Sequence, residues 1–309
     1  MRIVISEFMD EAAVAALRRQ FEVQYEPELV DGREDLLASL ADADGLIVRN
    51  RTRVDPALLE RAPRLRVVGR LGVGLDNIDV AACEARQVTV FPATGANALA
   101  VAEHVICSAM MLLRGAWQSS VAVALGQWPR AGLSNGREIA GKTLGLVGFG
   151  GIGRLTAVRA RALGMKVVAF DAALPADLPL WQEHGVRPLP LEALLASSDV
   201  VSLHVPLTAA TRRLIDGDRL ASMKPDAVHI NTSRGGIVDE GALAQALRDG
   251  RLAGAAIDVF EEEPLPAGSP LARAPNVFLT PHIAGVTFES NQRVSSLIAD
   301  RVARFLIAG

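Results

Sequence analysis

The chain has 309 residues, 50% hydrophobic and 22% charged, the make-up of a folded protein of about two domains; it excludes a disordered chain, a disulfide miniprotein and a repeat array. Thirty-two Lys and Arg against 35 Asp and Glu leave a formal net charge of −3, so no positive field is available for a phosphate backbone and no nucleic-acid partner is expected. The two cysteines, Cys83 and Cys107, form neither a disulfide framework nor a ligand-spaced cluster; both read as small core residues, no metal site is expected, and a reducing cytoplasm is.

The amino terminus, Met1 to Glu7, turns acidic too early for a signal peptide, and no apolar run of about eighteen residues occurs, so no membrane partner is expected. Short β-branched runs then alternate with helical patterns: Ile3–Ile5, Glu11–Arg19, Leu46–Val48, Pro56–Arg61, Val67–Val68, Val80–Arg86 and Val88–Val90. Such alternation marks parallel β-α units whose central strands are apolar on both faces. A long apolar helix follows from Asn97 to Arg114, then an irregular Gly- and Pro-containing stretch over Gly126–Gly136. The second series comprises strands at Thr143–Val147, Val167–Phe170, Val200–Leu203, Val228–Ile230, Ala255–Val259 and Val277–Leu279, with helices at Arg154–Leu163 and Gly241–Arg248. A last helix starts near Thr287 and Glu289, with Val294, Leu297, Ile298, Val302 and Phe305 along one face. The fold class that follows is α/β, with two doubly wound parallel-sheet domains of the Rossmann or flavodoxin type.

The strand Leu144–Val147 runs into Gly148-Phe149-Gly150-Gly151-Ile152-Gly153 and then a helix. Gly148 permits a tight turn, Gly150 lets backbone approach a pyrophosphate, and Gly153 lets helix and strand pack closely, while the helix amino terminus presents N–H donors. The spacing alone is weak, but the next strand ends at Asp171, eighteen residues beyond Gly153, where a carboxylate can accept from both ribose hydroxyls. No cation follows in Ala172-Ala173-Leu174, and Asp171 would repel a 2′-phosphate, so the cofactor expected is NAD, not NADP. A Gly-rich structural turn and an S-adenosyl site are the other readings of this segment.

Three later segments each follow a strand of the second series: Asn231 to Gly236 with Arg234, Asp258 to Pro264 with Glu263, and Thr280 to Gly285 with His282. Hydride transfer to a ketone needs a proton donor and a cation that polarises the carbonyl, and these residue types supply both. Taken singly, His282 also suits a turn, Glu263 a solvated acidic turn with Glu261 and Glu262, and Arg234 a carbonyl cap. The order Arg234, Glu263-Pro264, Pro281-His282 resembles the D-isomer-specific 2-hydroxyacid dehydrogenase family. So do the loops Arg70-Leu71-Gly72-Val73-Gly74-Leu75-Asp76-Asn77-Ile78-Asp79 and Ser202-Leu203-His204-Val205-Pro206-Leu207-Thr208.

The resemblance implies that His282 is the acid/base, that Glu263 holds its far nitrogen, and that Arg234 binds the substrate carboxylate and polarises the carbonyl. It further implies that Gly72, Val73 and Gly74 offer backbone N–H groups to the carboxylate and that Asp258 holds the nicotinamide carboxamide. Thr232 and Gly285 then lie beside the ring, Ile152 and Arg154 beside the pyrophosphate, and His204, Pro206 and Thr208 on the cofactor side. His104, His184 and His229 read as structural. Residues 1–97 with 283–309 would form a discontinuous substrate domain and 98–282 the NAD domain, with the active site in a cleft and the helix from Asn97 as a homodimer contact.

Substrate choice is expected to come from Arg49, Asn50 and Arg51, with Arg70 nearby, which points to a small 2-hydroxy acid carrying a second anion; a solvated loop is the other reading of these arginines. The Arg-x-Arg-Thr pattern at Arg49–Thr52 is similar to phosphoglycerate dehydrogenases, whereas Ser6–Asp10 and His282–Thr287 resemble sulfolactate dehydrogenases. Phosphate and sulfonate both suit, and malate-like, hydroxypyruvate or glyoxylate substrates are the alternatives. The carboxy-terminal regulatory extension of many phosphoglycerate dehydrogenases is not seen, so serine-feedback control is not expected. The same scaffold also resembles NAD(H)-sensing corepressors, which bind dinucleotide without turnover.

Overall fold

The structure, a computed structural model, describes residues 1–308. The chain divides into two compact units, Met1–Asn97 with Val286–Gly309, and Ala98–Gly285. The second crossing falls three residues beyond the expected boundary at 282/283. The cause is local: the N–H groups of Ile283 and Ala284 donate to the Asp258 carboxylate, each at 2.8 Å, and so stay with the second unit.

In the first unit five parallel strands, β1 (Arg2–Ile5), β2 (Glu22–Tyr25), β3 (Gly45–Val48), β4 (Val67–Arg70) and β5 (Thr89–Pro92), stand in the order β2-β1-β3-β4-β5. Both faces are covered, which is why β3 is apolar throughout. Val4, Leu46, Val48 and Val68 pack against helices Arg33–Ser39, Pro56–Arg61 and Val80–Ala85. Ile3, Ile5, Ile47 and Val67 pack against Glu11–Arg18 and the final helix, Phe288–Ala308. Glycine at 69 lets that last helix close on β4, since a Cβ there would lie 2.5 Å from Ile298 Cγ2. The edge strand β2 escapes sequence reading because it is short and only half buried, with burial on neither face strong enough to impose alternation.

The second unit holds seven parallel strands: β6 (Thr143–Val147), β7 (Lys166–Phe170), β8 (Arg187–Pro188), β9 (Val200–Leu203), β10 (Val228–Asn231), β11 (Gly254–Ile257) and β12 (Val277–Leu279). Their order is β12-β11-β10-β9-β6-β7-β8. The register puts Phe170, Val147, Leu203, Asn231, Ile257 and Leu279 in one row, so every loop carrying a predicted site residue of this unit leaves the same edge. The chain winds outward from β6 one way and from β9 the other, creating a switch point between them, where open α/β sheets receive ligands.

Helices Ala98–Arg114 and Gly151–Ala162 cover one face of this sheet, and Leu191–Ser197, Gly217–Ser222 and Glu240–Arg248 the other. The glycine-motif helix starts at Gly151, three residues before the expected Arg154. The expectation of a core role for both cysteines is corrected at Cys107, which is exposed on Ala98–Arg114 while Cys83 is buried; Cys107 lies four residues after exposed Glu103 on the helix's outer stripe. No single helix is long and apolar enough to cross a membrane, and no cluster of potential metal ligands occurs, among the described residues.

Candidate active site

At the end of β6 the chain turns through Gly148 with φ +102°, a conformation that favours glycine. A Cβ there would lie 2.7 Å from the His204 carbonyl oxygen, and one at Gly153 would lie 2.4 Å from the Gly148 oxygen. Gly148 therefore lets the β6 turn close onto the loop after β9, and Gly153 lets the helix close onto that turn. Gly150 and Gly151 have the opposite character: nothing lies within 4 Å of a Cβ built on either, which leaves open space ahead of the helix amino terminus, flanked by Ile152 and Arg154.

Asp171, at the end of β7, accepts from Phe149 N at 2.8 Å and from Ala173 N at 2.9 Å. It is thus held at the glycine loop with lone pairs to spare for hydroxyl donors. A mostly apolar cavity of about 220 Å³ adjoins it, walled by Phe170, Leu174, Leu189 and Pro190. Thr232 contributes a buried hydroxyl oxygen with no hydrogen-bond partner among the described residues. An open helix terminus, a fixed carboxylate and an orphaned polar atom on one sheet edge fit a dinucleotide.

The remaining cofactor-side residues are placed less evenly. His204 holds its loop to β6 through its N–H, which donates to Val147 O at 2.7 Å; its ring Nε2 pairs with Ser202 Oγ at 3.0 Å. Burial pulls this imidazole down to about 4, so it is neutral at physiological pH. Thr208 pairs with Thr211 Oγ1 at 3.1 Å, and that hydroxyl donates to Pro206 O at 2.6 Å. Thr208 and Pro206 are accordingly engaged in their own turn.

The proton-transfer groups assemble on β10, β11 and β12. His282 Nδ1 stands 2.8 Å from Glu263 Oε2, and both side chains are partly exposed. Glu263 is itself fixed, because its Oε1 accepts from Phe260 N at 3.1 Å. His282 adopts φ +55°, an αL geometry costing about 1–3 kcal/mol, and is held in it by its N–H, which donates to Asp258 O at 2.9 Å. Asp258 is 1% exposed. Its carboxylate accepts from Thr280 Oγ1 at 2.6 Å and from Ile283 and Ala284 N at 2.8 Å. In this structure, then, Asp258 braces the loop carrying His282 and Gly285.

Arg234 emerges from a turn that Asn231 folds: Asn231 Oδ1 accepts from Ser233 N and its Nδ2 donates to Arg234 O, both at 3.0 Å. Arg234 Nη1 donates to Ser233 O at 2.6 Å. The next residue explains how this turn meets the others. A Cβ on Gly235 would lie 1.8 Å from Phe260 O, so only glycine lets the Arg234 turn pack on the turn that positions Glu263. Gly235, Asn231 and Thr280 were not singled out as functional from sequence, although an Asn ending a strand is a readable turn signal.

The predicted substrate residues of the first unit form a separate construction. Glu7, after β1 and 4% exposed, sits in a nest of backbone donors. Its Oε1 accepts from Arg49 N at 2.8 Å and Thr52 N at 3.0 Å, and its Oε2 from Asn50 N at 3.3 Å and Arg51 N at 3.1 Å. Asn77 clamps the same loop from its carbonyl side, donating to Arg49 O and Thr52 O at 3.2 and 2.7 Å.

The expected gathering of guanidinium groups is not what the loop presents. Arg51 is exposed and paired with Asp31; Arg49 lies over the Phe8 ring and donates to Asn291 at 2.9 Å; Arg70 donates to Leu71 O at 2.9 Å. Burial pulls Arg49 below its ordinary value, with the Glu7 charge opposing. The Gly72 N–H donates to Arg70 O at 2.8 Å in a tight turn, beside Val73 and Gly74 in the same loop.

A dinucleotide cradle and, on the same sheet edge, an accessible imidazole backed by a carboxylate define a class, the nicotinamide-nucleotide oxidoreductases acting on alcohol or carbonyl carbon. Comparison with known proteins narrows it. Residues 106–284 match the family model described as D-isomer specific 2-hydroxyacid dehydrogenase, NAD binding domain. The chain is 57% identical over 306 residues to (S)-sulfolactate dehydrogenase of Chromohalobacter salexigens, covering 98% of each. It is 36% identical to D-3-phosphoglycerate dehydrogenase of Methanocaldococcus jannaschii across 99% of this chain, and spans 57% of that relative's length. Among solved structures, the TT0316 protein from Thermus thermophilus superposes with a TM-score of 0.91 at 36% identity, over 100% of this chain and 97% of that one. The chain belongs to the D-isomer specific 2-hydroxyacid dehydrogenases. It is an NAD-dependent oxidoreductase of 2-hydroxy and 2-keto acids, which sets aside the non-catalytic sensor reading.

Proposed function

We propose that this dehydrogenase acts on a small 2-hydroxy acid carrying a second anionic group, with a sulfonate as in sulfolactate first and a phosphate next. One observation carries the substrate assignment: the 57% identity to a sulfolactate dehydrogenase along the whole of both chains. NAD supplies the hydride acceptor. The chain's own groups do the rest. His282 Nε2 takes the hydroxyl proton in oxidation and returns it in reduction, while Glu263 fixes the ring and stabilises its charged form. The Arg234 guanidinium receives the acid's carboxylate in a fork a lysine does not offer. Val73 and Gly74 amides assist, and Arg49 is the cation assigned to the second anion. Arg154 and the amides at Gly150–Gly153 hold the pyrophosphate and Asp171 the ribose, with Thr232 and Gly285 beside the ring.

The test is NADH absorbance over matched 2-hydroxy acids bearing a sulfonate, a phosphate, a carboxylate or no second anion. Wild type prefers the sulfonate. Arg49→Ala loses that preference while Arg51→Ala, whose partner is Asp31, keeps it. Equal rates with the acid lacking a second anion would defeat the second-anion assignment, and turnover surviving in His282→Ala would defeat the acid/base assignment.

We also infer a homodimer and a reducing compartment. Val121, Leu125 and Trp128, beyond helix Ala98–Arg114, are more than two-thirds exposed, an apolar surface suited to a second copy. Light scattering on the wild type is expected to give the dimer mass, and Trp128→Glu with Leu125→Glu the monomer mass. Both cysteines are free thiols, which accords with a cytoplasmic setting.

A further inference from the structure

One half-buried carboxylate beside the proton-transfer pair has no part in the roles above. Glu240 opens the helix Glu240–Arg248, and its Oε1 accepts from the backbone N–H of Glu261 at 2.7 Å. Burial raises its carboxyl above the ordinary value, and the charges of Glu261, Asp239 and Glu263 push the same way. A carboxylate kept among like charges at that cost needs a structural return, and the hydrogen bond shows where it lies.

The turn Phe260–Glu263 is anchored at its start by the buried Phe260 ring, and beyond that ring it has few contacts. Phe260 N is taken by Glu263 itself, Gly235 packs on the Phe260 carbonyl, and Glu261 and Glu262 are exposed. The segment 231–240 therefore grips this turn twice, by the close approach of Gly235 and by the acceptor of Glu240. Arg234 stands on that same segment. The helix does not depend on Glu240 for its start, because Asp239 caps it, accepting from Ala242 N at 2.9 Å.

We propose that Glu240 is a positioning residue: by accepting from Glu261 N–H it fixes the turn that aims Glu263 at His282, and it ties that turn to the segment bearing Arg234. The inference rests on His282 and Glu263 being the acid/base pair. It requires an acceptor at position 240, not a charge, and so separates two substitutions. Glu240→Ala removes the acceptor, whereas the side-chain oxygen in Glu240→Gln can still receive the Glu261 N–H.

Steady-state kinetics of the full chain with NAD and its best 2-hydroxy acid, alongside His282→Ala, test this. Glu240→Ala is expected to lower kcat about ten- to a hundredfold, the scale of a misplaced catalytic geometry, with KM for NAD unchanged. Glu240→Gln is expected to recover most of the rate. Asp239 is intact in both, so both keep the helix, and melting temperatures verify this. Wild-type kcat in Glu240→Ala, or a Glu240→Gln enzyme as slow as Glu240→Ala, overturns the proposal. Loss of turnover in His282→Ala with an unimpaired Glu240→Ala sinks the positioning role alone, whereas turnover in His282→Ala removes the pair it serves.

Discussion

Asp171 carries two duties on one carboxylate. It pins the glycine loop by accepting from Phe149 N at 2.8 Å, and it is the group proposed to hold the ribose of the cofactor. Substitution by alanine removes charge-assisted hydrogen bonds worth about 1.5–3 kcal/mol, so Asp171→Ala is expected to raise KM for NAD about ten- to a hundredfold. The same change removes the repulsion of a 2′-phosphate, and the kcat/KM ratio of NAD to NADP falls; an unchanged ratio would show that the preference is set elsewhere. His282 illustrates the other kind of residue, whose backbone is held in an αL geometry by the carbonyl of Asp258. His282 itself was legible from its neighbours Pro281 and Glu263, but the left-handed backbone was not, because only the packed loop shows what stabilises it.

Loops at strand ends are built here by buried side chains that stand in for missing backbone partners. The Arg49–Thr52 loop is the clearest case, with four N–H groups converging on Glu7. Removing that acceptor leaves the buried Thr52 N–H and three partly buried ones without it, at about 1–3 kcal/mol for a buried group. Glu7→Ala is therefore expected to lower the unfolding free energy by about 2–4 kcal/mol, measured by urea titration. It is also expected to raise KM for the acid with KM for NAD unchanged, since Glu7 belongs to the unit without the glycine motif. Equal stability would mean that the nest is maintained by Asn77 alone. Sequence identified this loop by its arginines and missed its organiser, because Glu7 lies 42 residues before Arg49 and no local pattern links them.

For the whole molecule, buried histidines set an acid limit. His229, on β10, is 0% exposed, and neither ring nitrogen has a hydrogen-bond partner among the described residues. Burial lowers its pKa from 6.5 to about 4. Because the folded value is the lower one, the unfolded chain takes the proton first. The neutral form's advantage is complete above pH 6.5 and is withdrawn as pH falls toward 4, a loss of about 3 kcal/mol. His229→Leu is expected to match or exceed wild-type stability at neutral pH, since it removes an unsatisfied polar group of similar size, and to show a shallower decline over that interval. Parallel stability–pH curves for the two proteins would exclude His229 as the titrating group.

By itself the sequence determined the class of fold and the glycine turn with its acidic partner, and it marked Arg234, Glu263 and His282 as candidates, of which the structure pairs the last two. Each of these is written in short-range patterns: β-branched runs buried on both faces, a Gly spacing that follows a strand, a strand end followed by a polar residue. Tertiary structure alone decided that Glu7 organises the Arg49–Thr52 loop and that Arg51 belongs to Asp31. It likewise decided that Cys107 faces outward, that Asp258 braces the histidine loop, and that Glu240 meets the turn beside Glu263. The physical reason is common to all five. Which partner a polar or small side chain finds depends on the parallel register and on helix faces that bring distant segments within 3 Å or so, and adjacency of that kind leaves no trace in residue spacing.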